Sequence, residues 1–386
     1  MNIIEELCKA CGICVDVCPV SALRLNKDRV IIYKDVCIDC GICAKRCPFG
    51  AIQMKENFSD NQMVKDIRFQ VTTACNLSCP WCFSESGKSS HRELDFSETV
   101  KMIDELIACG LKTMTLTGGE PLMRWDFSLA ILKYLHQKNI YTKLFTNGLL
   151  LDESKVESLK GIADEIQISL YNRHQYSHIK QLVDKIKKMR IRVALRLTLT
   201  SKNYRNIKEI VKFVEKCKVG VFRARAFISA GRGKYHQNYL LGVKGYKFAF
   251  GYLASIRRNK DYIIQLLNPS FFFLYDNYIR PEMFAGLGFR GYSLCKCIDD
   301  MGTVLADGRV RACSYFPQEL GNIREKKFSD IWINNPVKEG LKLKELNPVC
   351  MNCPYITICG GGCRANAYIN LGNISLPDPN CPRICQ

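Results

Sequence analysis

Between residues 66 and 228, short apolar runs alternate with longer amphipathic ones. The runs IRFQVTT, TMTLTG, YTKLFTN, EIQISLY, RVALRLTLT and VFRARAFIS are short and rich in β-branched and aromatic residues, and they predict six strands. Between them, ETVKMIDELIACG and IKQLVDKIKKMR space apolar residues at a helical period and predict helices. Six strand–helix repeats specify a parallel α/β sheet, in which functional residues gather at the carboxyl ends of strands. Three unusual stretches fall there. The loop TTACNLSCPWCF follows the first strand, Thr117-Gly118-Gly119-Glu120-Pro121 ends the second, and Thr146-Asn147-Gly148 ends the third.

Composition changes how the cysteines are read. No apolar run approaches the ~20 residues of a membrane span. The opening MNIIEELCKA has neither a basic nor an apolar signal region, so a cytoplasmic protein is expected. In a reducing compartment 22 cysteines point to metal or catalysis rather than to disulfides. The formal charge of +19 counts every thiol as neutral. Thiolates bound to metal would lower it. The basic excess lies in the middle of the chain, where it could attract an acidic peptide or electron carrier, or simply form a solvated lysine-rich surface. Neither membrane nor nucleic acid is expected as a partner.

Residues 8–23, CKACGICVDVCPVSAL, recur as residues 37–52, CIDCGICAKRCPFGAI, each with the run C-x2-C-x2-C-x3-C-P. Zinc sites usually split their cysteines into two distant pairs, whereas four this dense suit a compact cubane. Residues 1–57 resemble a bacterial two-cluster ferredoxin, in which the fourth cysteine of each run serves the other cluster. The resemblance implies one cluster on Cys8, Cys11, Cys14 and Cys47 and a second on Cys37, Cys40, Cys43 and Cys18. Gly12 and Gly41 would leave space for backbone amides to approach sulfide. Such a module transfers single electrons and activates no substrate.

The C-x3-C-x2-C spacing of Cys75, Cys79 and Cys82 after a first strand resembles the radical S-adenosylmethionine (radical SAM) superfamily. That family implies a partial (β/α)6 TIM barrel over residues 66–232. Three thiolates leave one iron position open, as a catalytic metal needs in order to bind a small molecule. By the same resemblance TGGEP receives the SAM amino group through Gly118, Gly119 and Glu120, Ser169 and Asn172 meet the ribose, and Arg196 meets the carboxylate. FISAGRG, residues 227–233, looks like the end of the sixth strand in peptide-modifying relatives.

Near the C-terminus, Cys297-x10-Gly308-x4-Cys313 and Cys350-x2-Cys353-x5-Cys359-x3-Cys363 resemble the SPASM extension of such enzymes. The resemblance implies an auxiliary cluster on Cys295, Cys297, Cys313 and Cys363 and another on Cys350, Cys353, Cys359 and Cys381, with Cys385 an equally good last ligand. Cys295 and Cys297 are closer together than usual, so the first auxiliary cluster could keep an open iron. Cys109 and Cys217 read as small core residues. Ser314 stands where sulfatase maturases carry an aspartate, which counts against that activity.

The expected organisation is therefore a ferredoxin-like domain (1–57), a radical SAM partial barrel (66–232), a bridging region (233–290) containing FFFLYDNYIR, and a cysteine-rich SPASM domain (291–386). The expected activity is SAM-dependent oxidative modification of a peptide or protein side chain, using five 4Fe–4S clusters and an external donor such as flavodoxin or ferredoxin. Modification of a small molecule or a tetrapyrrole side chain is the alternative. A multi-cluster electron carrier would need neither an open iron nor the GGEP motif.

Overall fold

The structure, a computed structural model, describes residues 1–18, 22–34, 37, 41–54, 64–90, 92–257, 260–267, 301–333, 335–341, 346–381, 383 and 384. Cys40, Cys295, Cys297, Cys385 and the stretch FFFLYDNYIR lie outside the described residues.

The N-terminal region pairs β1 (Asn2–Ile3) with β4 (Ile52–Gln53), and β2 (Leu23–Asn26) with β3 (Arg29–Ile32). Its two short helices, α1 (Ile13–Asp16) and α2 (Ile42–Arg46), each start at a glycine with positive φ, Gly12 at 80° and Gly41 at 77°. A Cβ at either glycine would meet no atom, so the left-handed backbone rather than crowding is what calls for glycine here.

All six expected strands form: β5 (Asp66–Gln70), β6 (Thr113–Thr117), β7 (Tyr141–Thr146), β8 (Glu165–Leu170), β9 (Arg192–Leu199) and β10 (Val221–Ala226). They pair in parallel and in chain order. The connecting helices are α3 (Phe96–Ala108), α4 (Trp125–Gln137), α5 (Glu153–Ser158), α6 (Tyr176–Lys188) and α7 (Ile207–Cys217). Helix α3 starts in a capping box, with Asp95 accepting from the Glu98 amide and Glu98 accepting from the Asp95 amide. It buries Thr99, Met102, Ile103 and Leu106, one face of a 3.6-residue period. The strands alternate because their two faces do different work. Leu195, Leu197, Leu199, Phe222 and Ala224 pack outward into the main core, while Gln167, Ser169, Arg196, Thr198 and Arg225 line an internal cavity.

The sheet is larger than the expected six strands. Helix α8 (Gly242–Ile256) leads into β11 (Ile263–Leu267), which adds in parallel to β10. At the other edge β12 (Met301–Val304) adds in parallel to β5 and turns into the antiparallel pair β13 (Arg309–Arg311) and β14 (Gly321–Asn322). Both additions come from regions whose sequence carried no clear strand period. The C-terminal domain is thereby stitched onto the barrel sheet itself, and its short helices α9 (Phe328–Trp332), α10 (Pro336–Gly340), α11 (Pro348–Met351), α12 (Ile356–Cys359) and α13 (Arg364–Leu371) follow.

Trp332 is fully buried at this seam. It stacks on Phe328 and packs so closely on Gly302 that a Cβ there would lie 2.7 Å from its ring. Arg324 fixes the same seam by a bidentate pair to Glu98, at 2.6 and 2.8 Å. The N-terminal module docks at the opposite end of the strands. Ala194, Val221 and Ile263, near the starts of β9, β10 and β11, share an apolar cluster with Cys14, Cys18, Leu23, Cys37 and Cys43. Among the described residues no helix is long and apolar enough to cross a membrane.

Trp332→Ala is expected to cost about 3–5 kcal/mol. Because Trp332 belongs to the core that Ile67 of β5 and Leu106 of α3 also enter, limited proteolysis should cut the C-terminal domain first; unchanged protection would contradict the seam.

Candidate functional site

The loop of Cys75, Cys79 and Cys82 is held from three sides. Beneath it, Glu93 accepts from the Thr72 hydroxyl (2.9 Å) and the Thr73 amide (2.8 Å). The loop closes on itself through Cys75 N–H to the Gly87 carbonyl and Gly87 N–H to the Thr73 carbonyl. From the side, the turn after β6 joins it as an extra strand would. The Gly119 amide donates to the Thr72 carbonyl at 2.8 Å, and the Glu120 amide to the Ala74 carbonyl at 2.7 Å. This approach is why the motif holds two glycines. A Cβ at Gly118 would stand 2.6 Å from the Thr72 oxygen, and one at Gly119 2.0 Å from the Ala74 oxygen.

Glu120 carries the brace across to the third strand. Its buried carboxylate accepts from the Thr146 hydroxyl and the Asn147 amide, both at 2.7 Å, and from the Leu122 amide at 3.2 Å. Burial pushes its pKa up, and these three donors pull against that. Asn147 in turn donates to the Asn76 side chain at 2.7 Å, returning to the cysteine loop. Thr146-Asn147-Gly148 is therefore a brace of the site as well as a turn. Since the Gly119 and Glu120 amides are engaged, what this turn can offer an ammonium group is carbonyl oxygen.

The third clamp comes from the end of β10. Arg232 donates to the Cys79 carbonyl (3.0 Å) and the Ser86 carbonyl (2.6 Å), and its own amide donates to the Cys82 carbonyl (2.9 Å). Gly231, at φ 57°, lies against the Phe83 carbonyl so closely that a Cβ would be 2.2 Å from it. The sequence marked FISAGRG as a strand end; the role of its arginine emerges only from the fold.

These elements enclose a cavity with an empty volume of ≈ 960 Å³, solvent at its mouth included. Cys75, Cys79, Cys82, Gly118, Gly119, Glu120, Ser169 and Arg196 all line it. Asn172 does not. It is exposed, at the start of a short 3₁₀ turn after β8, and Tyr171 lines the wall instead. Trp81, between two of the cysteines, stacks on Tyr171 with ring centres 6.2 Å apart. Arg196 is half-buried on the cavity wall. Burial, together with the cations Arg225 and Arg68, brings its pKa down to about 10 against the opposing pull of Tyr315. Tyr315, two residues beyond Cys313, reaches in from the C-terminal domain. Its hydroxyl accepts from Arg225 and from Arg196, the latter at 3.4 Å, and the Arg225 guanidinium lies 4.0 Å from its ring centre. A residue of one domain thus completes the wall of the other, which the linear sequence could not reveal.

The structure brings the cysteines together in sets. Burial and then the neighbours Cys82 and Cys75 push the Cys79 thiol up to about 11. Cys14 rises to about 11 from burial and then Cys11, Cys8 and Cys47, so the fourth cysteine of the second run stands with the first three of the first. Cys43 rises to about 12 from burial and then Cys18 and Cys37, the reciprocal arrangement. In the C-terminal domain Cys381 feels Cys350 and Cys353, Cys359 feels Cys381 and Cys350, and Cys363 feels Cys313. Cys217 is wholly buried and Cys109 packs against the core, apart from these sets. Among the described residues no three Cys, His, Asp or Glu side chains are arranged to hold a single metal ion. The donor set is instead thiols spread around small lobes, with three at the cavity among the described residues. That chemistry fits iron–sulfur clusters, whose positive cores offset the cost of ionising buried thiols.

Comparison with known proteins agrees. Residues 69–214 match the model of the radical SAM superfamily, residues 7–51 that of a 4Fe-4S dicluster domain, and residues 295–354 the SPASM iron-sulfur cluster-binding domain. The chain is 26% identical over 351 residues to Fe-coproporphyrin III synthase of Methanosarcina barkeri, covering 81% of this chain and 86% of that protein. It is 27% identical to the AdoMet-dependent heme synthase of the same organism, covering 82% and 95%. In fold it resembles SuiB of Streptococcus suis bound to S-adenosylmethionine, with a TM-score of 0.66 and 17% identity over 83% of this chain and 77% of that one. SuiB bound to its precursor peptide SuiA matches at a TM-score of 0.63 and 18% identity, covering 84% and 76%.

Arg232→Met removes two hydrogen bonds to backbone carbonyls, a local loss of about 2–4 kcal/mol. The purified variant is expected to retain less iron at the three-cysteine loop and to bind SAM at least about tenfold more weakly by calorimetry. Gly119→Ala should abolish SAM binding while circular dichroism stays that of the wild type. Normal SAM affinity in either variant would contradict the clamp.

Proposed function

Because the chain belongs to the radical SAM superfamily, with a dicluster module before the barrel and a SPASM domain after it, we propose that it cleaves S-adenosylmethionine reductively and oxidatively modifies a peptide or protein side chain. The observation that carries this reading is the cavity in which three cysteines, and no fourth among the described residues, face the Gly118–Glu120 turn, Ser169 and Arg196. Cys75, Cys79 and Cys82 would hold a 4Fe–4S cluster, which would supply the electron for reductive cleavage of bound SAM. The protein's own part is placement and exclusion. The Gly118–Glu120 carbonyls suit the SAM ammonium, Arg196 suits its carboxylate, and Trp81 with Tyr171 offers an aromatic face near the sulfurs. Tyr315 and Phe83, with ring centres 4.6 Å apart, close the side toward the C-terminal domain and limit water around a reactive species.

Five clusters are part of the proposal. Cys8, Cys11, Cys14 and Cys47 would hold one, and Cys18, Cys37, Cys40 and Cys43 the second. Two more would sit in the C-terminal domain, on the sets containing Cys313 with Cys363 and Cys350, Cys353, Cys359 with Cys381. Their use would be disposal of the electrons that an oxidative bond-forming reaction releases, with a flavodoxin or ferredoxin supplying the first. The peptide reading is supported by the fold shared with SuiB, which binds a precursor peptide. A second reading, modification of a tetrapyrrole, is favoured by the curated relatives named for coproporphyrin and heme synthesis, which align over most of this chain.

Anaerobically reconstituted protein given dithionite and SAM is expected to form 5′-deoxyadenosine and methionine, and Cys79→Ala to form neither. Absence of 5′-deoxyadenosine from the wild type would overturn the enzyme reading. Iron analysis should give about twenty atoms per chain. Mass spectrometry of co-expressed peptides separates the two substrate readings, since loss of two hydrogens supports the peptide. A change confined to added iron-coproporphyrin supports the tetrapyrrole.

A further inference from the structure

The two cysteine lobes of the N-terminal module are not equivalent in their surroundings. Cys11 is exposed and Cys8 and Cys47 are partly so, with only Cys14 of that lobe buried, whereas Cys18, Cys37 and Cys43 are all at most 9% exposed. Cys14, Cys18, Cys37 and Cys43 share an apolar cluster with Ala194, Val221 and Ile263, and it is Cys18 whose carbonyl also accepts from Arg257 of the barrel. Ala194 lies on the same face of β9 as Arg196, two residues farther along, and Arg196 lines the cavity of the three-cysteine loop. At about 3.3 Å per residue that is a step of only ~7 Å from the module's footing to the cavity wall. Between the two levels the barrel is filled by a buried polar group. Arg223 donates to both oxygens of Glu165, to Gln167 and to Gln265.

A second asymmetry is electrostatic. Arg257, at the end of α8 and 1% exposed, donates to the Cys18 carbonyl at 3.3 Å. Arg24, from the module, donates to the Arg257 carbonyl at 2.9 Å and to the Tyr262 carbonyl at 3.3 Å. The Arg257 guanidinium therefore stands at the inner lobe, shielded from solvent screening, and Arg24 holds the Arg257 backbone behind it. Burial by itself disfavours the more negative, reduced state of a cluster, and a fixed cation beside it favours that state. With Arg257 hydrogen-bonded to a cysteine of the lobe itself, the nearby cation outweighs the burial.

We propose that the module is a one-way electron inlet, in which the Cys8–Cys11–Cys14–Cys47 lobe takes an electron from an external carrier and the Cys18–Cys37–Cys43 lobe, biased by Arg257, delivers it through the barrel floor. The step moves one electron and no atoms. The carrier, a reduced flavodoxin or ferredoxin, is oxidised by one electron, and that electron is consumed in splitting SAM. This inference rests on the cluster assignment of the N-terminal cysteines given above.

The test uses the full-length, cluster-loaded chain in a redox titration followed by electron paramagnetic resonance. A soluble lanthanide chelate speeds the relaxation of whichever signal is exposed to solvent. The exposed ferredoxin-type signal is expected to have the lower potential of the two. Arg257→Gln should shift the electron's distribution between the two clusters about tenfold toward the exposed one, ~59 mV for one electron. Arg24→Gln should shift it in the same direction by less, and serves if Arg257→Gln does not fold. An exposed signal of higher potential, or unmoved potentials in both variants, would overturn the direction while leaving the cluster assignment standing. Absence of any ferredoxin-type signal from a chain that shows the SAM-site signal would overturn both.

Discussion

The rest of the site depends on one piece of backbone pairing, the contact between Gly118–Gly119–Glu120 and Thr72–Thr73–Ala74. A loop that carries three cysteines in eight residues has no regular structure of its own, so its shape must come from elsewhere. Two amide–carbonyl bonds at 2.7 and 2.8 Å supply it, by extending the β5–β6 ladder beyond the end of the sheet. That extension is open only to residues without a Cβ on the β6 side. The same turn then lies beside the cysteines, so the geometry that shapes the loop also places the groups suited to SAM.

The brace does not end there. Glu120 passes it to Thr146 and Asn147, Asn147 returns it to Asn76, and Arg232 closes the circle from β10. Four strand ends thus hold one loop. A buried carboxylate with three donors is stable only while all three stay in place, which couples the second and third strands tightly. Rigidity at the cysteines is consistent with chemistry that must hold a radical close to one hydrogen atom and far from others.

Much of this was legible in the sequence because it is local. The period of apolar residues marked all six barrel strands, and the cysteine runs marked thiols that lie near one another, with Cys47 beside Cys14 and Cys18 beside Cys43. What was not legible depends on contacts between distant segments. β12 joins β5 across some 230 residues, so its strand character is set by the edge it meets and by Trp332 on Gly302. Arg232 and Tyr315 look like ordinary loop residues until the fold places one on the cysteine loop and the other between Arg196 and Arg225. Asn172 shows the opposite failure. Its position after the fourth strand was right, but the turn there points it to solvent and gives the wall to Tyr171.

The polar interior of the barrel follows from the same reasoning. Parallel strands buried on both faces usually run continuously apolar. Here Glu165, Gln167, Arg223 and Arg225 interrupt that pattern, and the bidentate Arg223–Glu165 pair offsets part of the cost of burying them. Arg225 and the half-buried Arg196 both donate to the Tyr315 hydroxyl, so the charged lining of the cavity is tied to a residue of the C-terminal domain. Both substrate readings, an acidic peptide segment and a tetrapyrrole, bring carboxylates that such a lining suits, so the lining bears on the substrate where the fold alone does not.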